Sequence, residues 1–599
     1  MTKLIIHLDF NIMVANSNIF WWVRSDFRLL DNPALFASYK EFKRTGAEFL
    51  PIAFLDRELL EDGWMNIGYG RRKMVSRILS KFAAKFGRFL IVVGDVDQGW
   101  QVIAENLNCN VHVNDDGEPY AVSRFNKVQG ILNNNGGSLT VNADYLTVSL
   151  DAASMNGNMY SVFGPFKRNV QEKFLQKMTF PVPELKEIHY CDPTSWTFLN
   201  KLNGFLVTGD KFKTFGNNPH IKDGDSLEKV IFDLIDRPNI LHFGTNRGWQ
   251  LNPKSQNFQG THTLNIDKLW PRPDLSYWYD TEEEAIAVMN NFIDKGLHKY
   301  EQLRNYLSHE AGSNLSTALK WGLVSSRTVA HNIQAKITKI DQDPNAISFI
   351  SELIWREFYR YLLKHQPRLL DQEFQPKFRS MIWTDGEVGV ERLTRWIEGR
   401  TGYPAVDAAM NQIARTGYMH NRARMMVASI LTKNLGIDWR WGQDYFRLML
   451  VDLDEASNNG GWQWASSVGA DPKPIRIFNP YLQATNWDKF GDYQKKWLPQ
   501  NYFAGMKVFD EVEFEKVQID GLTPKGQTHT FQPKTNTLFP EEIKVSAENI
   551  TIDQVFANYN YQKLLDMIVP VINHKIARQQ ALDRYGLAKS LPSTAVRDF

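Results

Sequence analysis

The sequence predicts an α/β N-terminal domain built on a parallel, Rossmann-like sheet, followed by an all-α C-terminal domain. Three observations carry this. Short β-branched and aromatic runs alternate with helical stretches over residues 19–149, as a chain does when crossover helices wrap a parallel sheet. From Thr281 onward the apolar residues recur at helical spacing. At 599 residues the chain exceeds one ordinary core, so two or three domains are expected. The organisation that follows is an N-terminal extension at 1–18, an α/β domain at 19–150, a connector at 151–280 with an insertion at about 186–264, and a helical domain at 281–599.

Each element has its own warrant. Strands are expected at Phe20–Val23, Phe49–Leu55, Phe89–Val93, Val111–Val113 and Leu139–Leu146, and helices at Pro33–Arg44, Tyr69–Phe86, Gln98–Asn106 and Ala121–Leu132. No G-x-G-x-x-G turn follows the first strand, which disfavours an ordinary dinucleotide site there. A pocket at the sheet's switch point is as expected to be empty as filled. The connector is rich in Asn, Gly, Pro and Thr and shows one helical patch, Leu227–Ile235. Its Trp196, Phe198, Phe205, Phe212 and Phe215 make it too aromatic for a disordered linker. In the helical domain Pro404 sits at a first helical position. Val406, Ala409, Met410, Ile413 and Ala414 then keep the period and Gly417 stops it. A second helix is expected from Asn421 to Gly436, and the tail holds Ile568 to Arg578 and one more short helix.

Composition narrows the class. Hydrophobic residues at 43% and charged residues at 23% describe a soluble globular protein, and no apolar run approaches a bilayer span of about 18–20 residues. His7, Asp9 and Asn11 interrupt the apolar N-terminus, which reads as an extension of a cytoplasmic protein. Cys109 and Cys191 stand far apart, which argues against a disulfide framework, a zinc site or an iron–sulfur cluster and for a reducing compartment; no metal is expected. A net charge of +2 means that any nucleic-acid site rests on local clustering. The 18 Trp are more than core filling asks for and direct attention to stacking or electron-transfer roles.

Four stretches carry chemistry. Gly312 to Ser316 precedes an apolar helix, Thr317–Leu323, where free N–H groups suit a phosphate, although a Ser cap without ligand explains it more simply. Upstream, Tyr300 and Arg304 are one helical turn apart. Glu352, Arg356 and Arg360 share a helical face beside Trp355 and Tyr359. A solvated, salt-bridged helix is the usual reading of such a stripe, but an indole beside it suits base stacking with an Arg on a phosphate. In Met419 to Met425, Asn421 and Met425 share a face flanked by Arg422 and Arg424. An Asn amide satisfies both edges of an imide and Met fills against a flat ring. Asp452 and Asp454 are the anions that would otherwise make this a structural ion-pair cluster. Asn458-Asn459-Gly460-Gly461-Trp462-Gln463-Trp464 reads as a loop whose two Trp need something flat to cover them.

Taken together these residues resemble the photolyase/cryptochrome family, and within it the class I cyclobutane pyrimidine dimer photolyases. The match opens at Trp22-Val23-Arg24-Ser25-Asp26-Phe27-Arg28-Leu29-Leu30-Asp31-Asn32. It is densest from Gly399-Arg400-Thr401-Gly402-Tyr403-Pro404 through Trp464, covering roughly 19–170 and 281–585. The resemblance implies a lyase, a deoxyribodipyrimidine photolyase that repairs cyclobutane pyrimidine dimers in DNA by electron transfer from excited, reduced FAD. It also implies an antenna domain followed by a helical FAD-binding domain, acting as a monomer. Tyr300, Arg304, Ser313, Leu315 and Ser316 would contact FAD, with Glu352, Arg356 and Asn421 beside it. Arg424, Asp452 and Asp454 would lie around its ribityl and ring, and Asn458 would face N5. Glu352, Trp355, Arg356, Asn421, Arg422, Met425 and Trp464 would line the pocket for a flipped-out dimer, and Trp462, Trp439 and Trp383 would carry electrons from the surface.

The chain departs from the family pattern at Gly312 and Asn314, where Thr and Arg are usual, and at Tyr418, where Trp is usual. Pro119 to Lys127 lacks the Asn-Glu pair of a folate antenna, although Lys364 matches another folate contact. Folate, deazaflavin or no antenna chromophore all stay open. The alternatives are a blue-light photoreceptor of the cryptochrome type without repair activity and a flavin-bearing DNA-binding protein without turnover. His420-Asn421 in place of paired His, and Met425 in place of Gln, favour dimer repair over the 6-4 and DASH branches, and no long signalling tail is expected after Arg578.

Overall fold

The computed structural model describes residues 18–56, 67–151, 158–177, 179–202, 204–208, 213–215, 226–244, 261–308, 312–471, 475–500, 502 and 570–590. Five parallel strands build the N-terminal sheet: β1 (Asn18–Val23), β2 (Phe49–Asp56), β3 (Phe89–Gly94), β4 (Cys109–Asn114) and β5 (Ser138–Asn142), in the order β5-β4-β1-β2-β3. The helices expected between them span Pro33–Thr45, Tyr69–Ala83, Val96–Ala104 and Pro119–Asn134. Two more strands, β6 (Gly204–Thr208) and β7 (Lys213–Phe215), extend the sheet antiparallel beyond β3, with Leu206 opposite Ile91 and Val207 opposite Leu90. These strands come from the stretch read as an insertion.

The two-residue period of β1 sorts its side chains between two cores. Phe20 and Trp22 join Trp100, Phe125 and Leu132 on the face covered by the Val96–Ala104 and Pro119–Asn134 helices. Ile19, Trp21 and Val23 belong to a larger core that runs on into Phe292, Phe349 and Phe358 of the helical part. A third cluster around Trp396, Trp439 and Tyr445 fills the rest of that part.

Polar groups reinforce the junction. Arg28, on the segment after β1, forks onto Asp144 at 2.8 and 2.9 Å. Arg327, of the Ser326–Lys336 helix, reaches Asp144 at 2.6 Å and Asp31 at 2.9 Å. Burial would raise the Asp144 pKa, but the two guanidinium groups hold it down to about 2.

Among the described residues, the connector holds more regular structure than the one helical patch expected. The Leu227–Ile235 helix is present, and a second, unforeseen helix spans Phe163–Leu175. Its buried Phe166, Val170 and Phe174 keep a four-residue period, which Gly164 and Pro165 at the start disguise.

In the helical part, Pro404–Thr416 ends at Gly417 with φ 66°, as expected. The following helix, Asn421–Ser429, passes into a wider π turn over Ile430–Asn434. The stretch expected as a loop is instead the helix Glu455–Ala465. Asp454 caps it, accepting from the Ser457 N–H at 3.0 Å. Gly460 suits close packing rather than a turn, since a Cβ there would lie 2.0 Å from the Tyr359 ring. The last helix is His574–Ser590, while Ile568 and Val569 lie outside the described residues, as do residues 1–17. No helix among the described residues is long and apolar enough to cross a membrane.

Candidate functional site

A cavity of about 440 Å³ opens in the helical part between the long helix Pro344–His365 and the helices Asn421–Ser429 and Glu455–Ala465. Helical spacing places its walls. Glu352, Trp355, Arg356 and Tyr359 project from the first helix, Asn421, Arg422, Arg424 and Met425 from the second, and Asn458, Trp462 and Trp464 from the third. Asp452, Asp454, Arg304 and Ser316 complete it.

Its charges are paired in defined ways. Asp452, with a buried carboxylate, takes a two-oxygen grip from Arg424 Nη2 at 2.7 and 3.0 Å. Asp454 instead accepts from Arg360 at 2.7 and 3.0 Å and lies 3.5 Å from Arg356 Nε. Burial would raise its pKa, but Arg360 and Arg356 keep Asp454 ionised, well below the usual carboxylate range. The alternative of a structural ion-pair cluster holds for Arg424 with Asp452, whereas Arg422 has a different partner set. Arg422 lies over the Trp487 ring at 4.8 Å and donates to Asn305 Oδ1. Burial and the neighbouring Arg360 push the Arg356 pKa down to about 10.

One turn before Arg356 on the same helix, the Glu352 carboxylate meets Arg304 at 2.6 Å. Asn421 Nδ2 lies 3.8 Å from Met425 Sδ, so the two residues meet on one helical face. Asn458 is tied by its amide to the Gln443 carbonyl at 3.1 Å. Burial, then Arg424 and Arg422, push the His420 pKa down to about 4, and its Nδ1 accepts from the Arg422 N–H at 3.1 Å.

Other sequence-predicted residues stand back from the cavity. Tyr300 is buried edge-on to Phe292 and Phe349 beneath the Arg304 guanidinium. Leu315 is core, and its N–H donates to Ser313 Oγ at 3.3 Å. Asn314 adopts φ 55°, a conformation Asn tolerates better than most residues. Trp439 is fully buried with its indole N–H on Glu373 at 3.2 Å, whereas Trp383 is partly exposed. Trp462, by contrast, lines the cavity, and it touches Phe446 and Trp396 edge-on at 5.0 and 6.1 Å.

The structure adds lining residues that sequence reasoning passed over: Lys320, Phe446, Leu450, Leu453 and Ser457. Phe446, Leu450 and Leu453 look like any core positions in sequence. A second, polar cavity of about 80 Å³ sits at the carboxyl ends of β1 and β4, where the strand order reverses. It shares Leu319, Lys320 and Arg356 with the larger one. Lys364 is engaged there by Asp115 and lies 5.9 Å from the Tyr145 ring.

Comparison with known proteins gives the family of the chain. Residues 19–185 match the DNA photolyase family model, and residues 349–586 match the FAD binding domain of DNA photolyase. A deoxyribodipyrimidine photo-lyase from Synechococcus is 32% identical over 490 residues, spanning 80% of this chain and 88% of that protein. A bacterial class III photolyase from Agrobacterium tumefaciens superposes with a TM-score of 0.63 at 24% identity, over 97% of this chain and 100% of that one. An archaeal photolyase from Sulfolobus tokodaii, solved with two FAD molecules, gives 0.62 at 19% identity, over 95% and 100%.

Proposed function

Because the chain belongs to the DNA photolyase family, we propose that it is a deoxyribodipyrimidine photolyase, which uses blue light and FAD to reverse cyclobutane pyrimidine dimers in DNA. The observation that carries this is one cavity in which cations, carboxylates, amides and three indoles converge from three helices.

The cavity fits the cofactor. Its volume lies in the ordinary range for ligand sites, roughly 300–1,000 Å³. Phe446, Leu450, Leu453 and Trp462 give a flat ring an apolar bed, and Lys320, Arg356 and Ser316 give a diphosphate its donors. At Gly461 a Cβ would meet nothing within 4 Å, so this wall is open space. Arg424 with Asp452, and Asn458, supply donors and acceptors that would hold the polar edge of a flavin in the reduced anionic form that repair needs.

The chemistry that a bound reduced FAD would supply is the light-driven loan of one electron to the dimer, recovered once the two cyclobutane C–C bonds have broken, with no net redox change. The protein's part is placement and electrostatics. Trp355 and Trp464 offer aromatic faces to a flipped-out dimer, and Asn421 and Met425 close the side between them. Glu352, held by Arg304, presents a carboxylate that can accept a hydrogen bond from an imide N–H of the dimer. Extrusion is easier for a dimer than for a normal pair, because the lesion stacks poorly. Trp462, Trp439 and Trp383 form the route by which a resting flavin is reduced from the surface.

The deciding experiment is light-dependent reversal of dimers in oligo(dT) by the purified flavoprotein. A sample that carries flavin and binds damaged DNA yet leaves dimers intact under blue light overturns the reading. A band separate from the flavin's in the same absorption spectrum would report an antenna chromophore.

A further inference from the structure

The connector helix Phe163–Leu175 touches the cavity from behind. Phe163, its first residue, lies flat against the Trp355 indole, with ring centroids 3.5 Å apart and planes 7° from parallel. Free aromatic pairs prefer offset or edge-on contacts to such full overlap, so this stack is held by its surroundings. Phe358 holds it, meeting both rings edge-on at 5.8 Å, and Tyr359 leans on the indole at 5.5 Å. One turn along, Lys167 Nζ donates to Ser351 Oγ at 2.5 Å, beside Glu352. Trp355 lines the cavity, whereas Phe163 is absent from its lining among the described residues. One indole face is therefore taken, and the other is left for a ligand.

We propose that the Phe163–Leu175 helix is the back wall of the dimer site and that Phe163 is a positioning residue, fixing the plane in which Trp355 stacks on the lesion. This rests on the reading of the cavity as a dimer site. An indole free to rock would lose rotamer freedom each time a dimer entered, and the Phe163 stack removes that loss beforehand. Phe163 touches no substrate; it acts through Trp355.

The test uses the full-length flavoprotein and a duplex with a single thymine dimer, alongside the same duplex undamaged. Phe163→Leu keeps an apolar side chain but removes the flat partner. It should weaken dimer affinity about fivefold, with little change in affinity for undamaged DNA or in repair per photon at saturating substrate. Phe163→Tyr should restore binding. In a Trp355→Ala background Phe163→Leu should add less than twofold, because the residue it acts through is gone. An unchanged dimer affinity in Phe163→Leu, or an undiminished fivefold effect without Trp355, overturns the inference while the repair reading stands. A wild-type protein that neither binds nor repairs the dimer overturns the repair reading and this inference with it.

Discussion

At the scale of single residues, Trp462 in the cavity wall and His420 at the start of the Asn421–Ser429 helix do different work. Trp462 is buried against Phe446 and Trp396, and its indole N–H has no hydrogen-bond partner among the described residues. Its place is set by packing alone, which suits a redox relay better than a binding group. Trp462→Phe should slow photoreduction of the resting flavin at least tenfold while repair by chemically reduced protein persists; transient absorption and the dimer assay read the two separately. His420 caps the Asn421–Ser429 helix only while neutral, because its Nδ1 accepts the Arg422 N–H. With the folded pKa at about 4 and an unfolded value near 6.5, the unfolded chain binds the extra proton between those values. Stability is therefore full above about pH 6.5 and falls as pH drops toward 4, by about 2–3 kcal/mol. His420→Asn caps without titrating, so denaturant unfolding followed against pH should show a flattened acid limb.

The helices are where local sequence and packing part company. Pro404–Thr416 and its Gly417 stop were readable, because proline, period and glycine all agree over that span. Glu455–Ala465 was not, because Asn458, Asn459, Gly460 and Gly461 carry turn propensity; close approach to Tyr359 accounts for Gly460. The Phe163–Leu175 helix was hidden by its Gly-Pro start, and with it the ring behind Trp355. Cavity residues of unusual type, such as Asn421, Arg424 and Trp464, stood out in sequence. Phe446 and Leu450 did not, since nothing in an apolar side chain tells a cofactor wall from a core. The same close packing gives a prediction at Gly442, where a Cβ would lie 2.1 Å from the Trp462 ring. Gly442→Ala should cost about 1–3 kcal/mol, read as a lower midpoint in chemical denaturation.

The whole molecule is joined across its two parts by apolar packing and by charge. One continuous core runs from β1 to the Pro344–His365 helix, and Asp144 binds Arg28 on one side and Arg327 on the other. Removing that carboxylate leaves two guanidinium groups facing each other with little solvent. Asp144→Asn should destabilise the protein by about 3 kcal/mol, measured as a shift in the urea midpoint. The parallel sheet and the helical half were legible because their periods persist over many residues. The partnership of Asp31, Asp144 and Arg327 was not, since those residues are separated by more than a hundred positions and nothing local announces them.

The antiparallel strands β6 and β7 also bear on how the protein behaves in a crowded solution. β3 reads Phe-Leu-Ile-Val-Val-Gly, without a charge or a proline, and β6 pairs along it from Phe89 to Val93. Left bare, such a strand is a template on which another chain can add itself edge to edge. The added ribbon occupies those hydrogen bonds from within the same polypeptide. Removing the 204–215 ribbon should therefore raise self-association, visible as light scattering that grows with concentration.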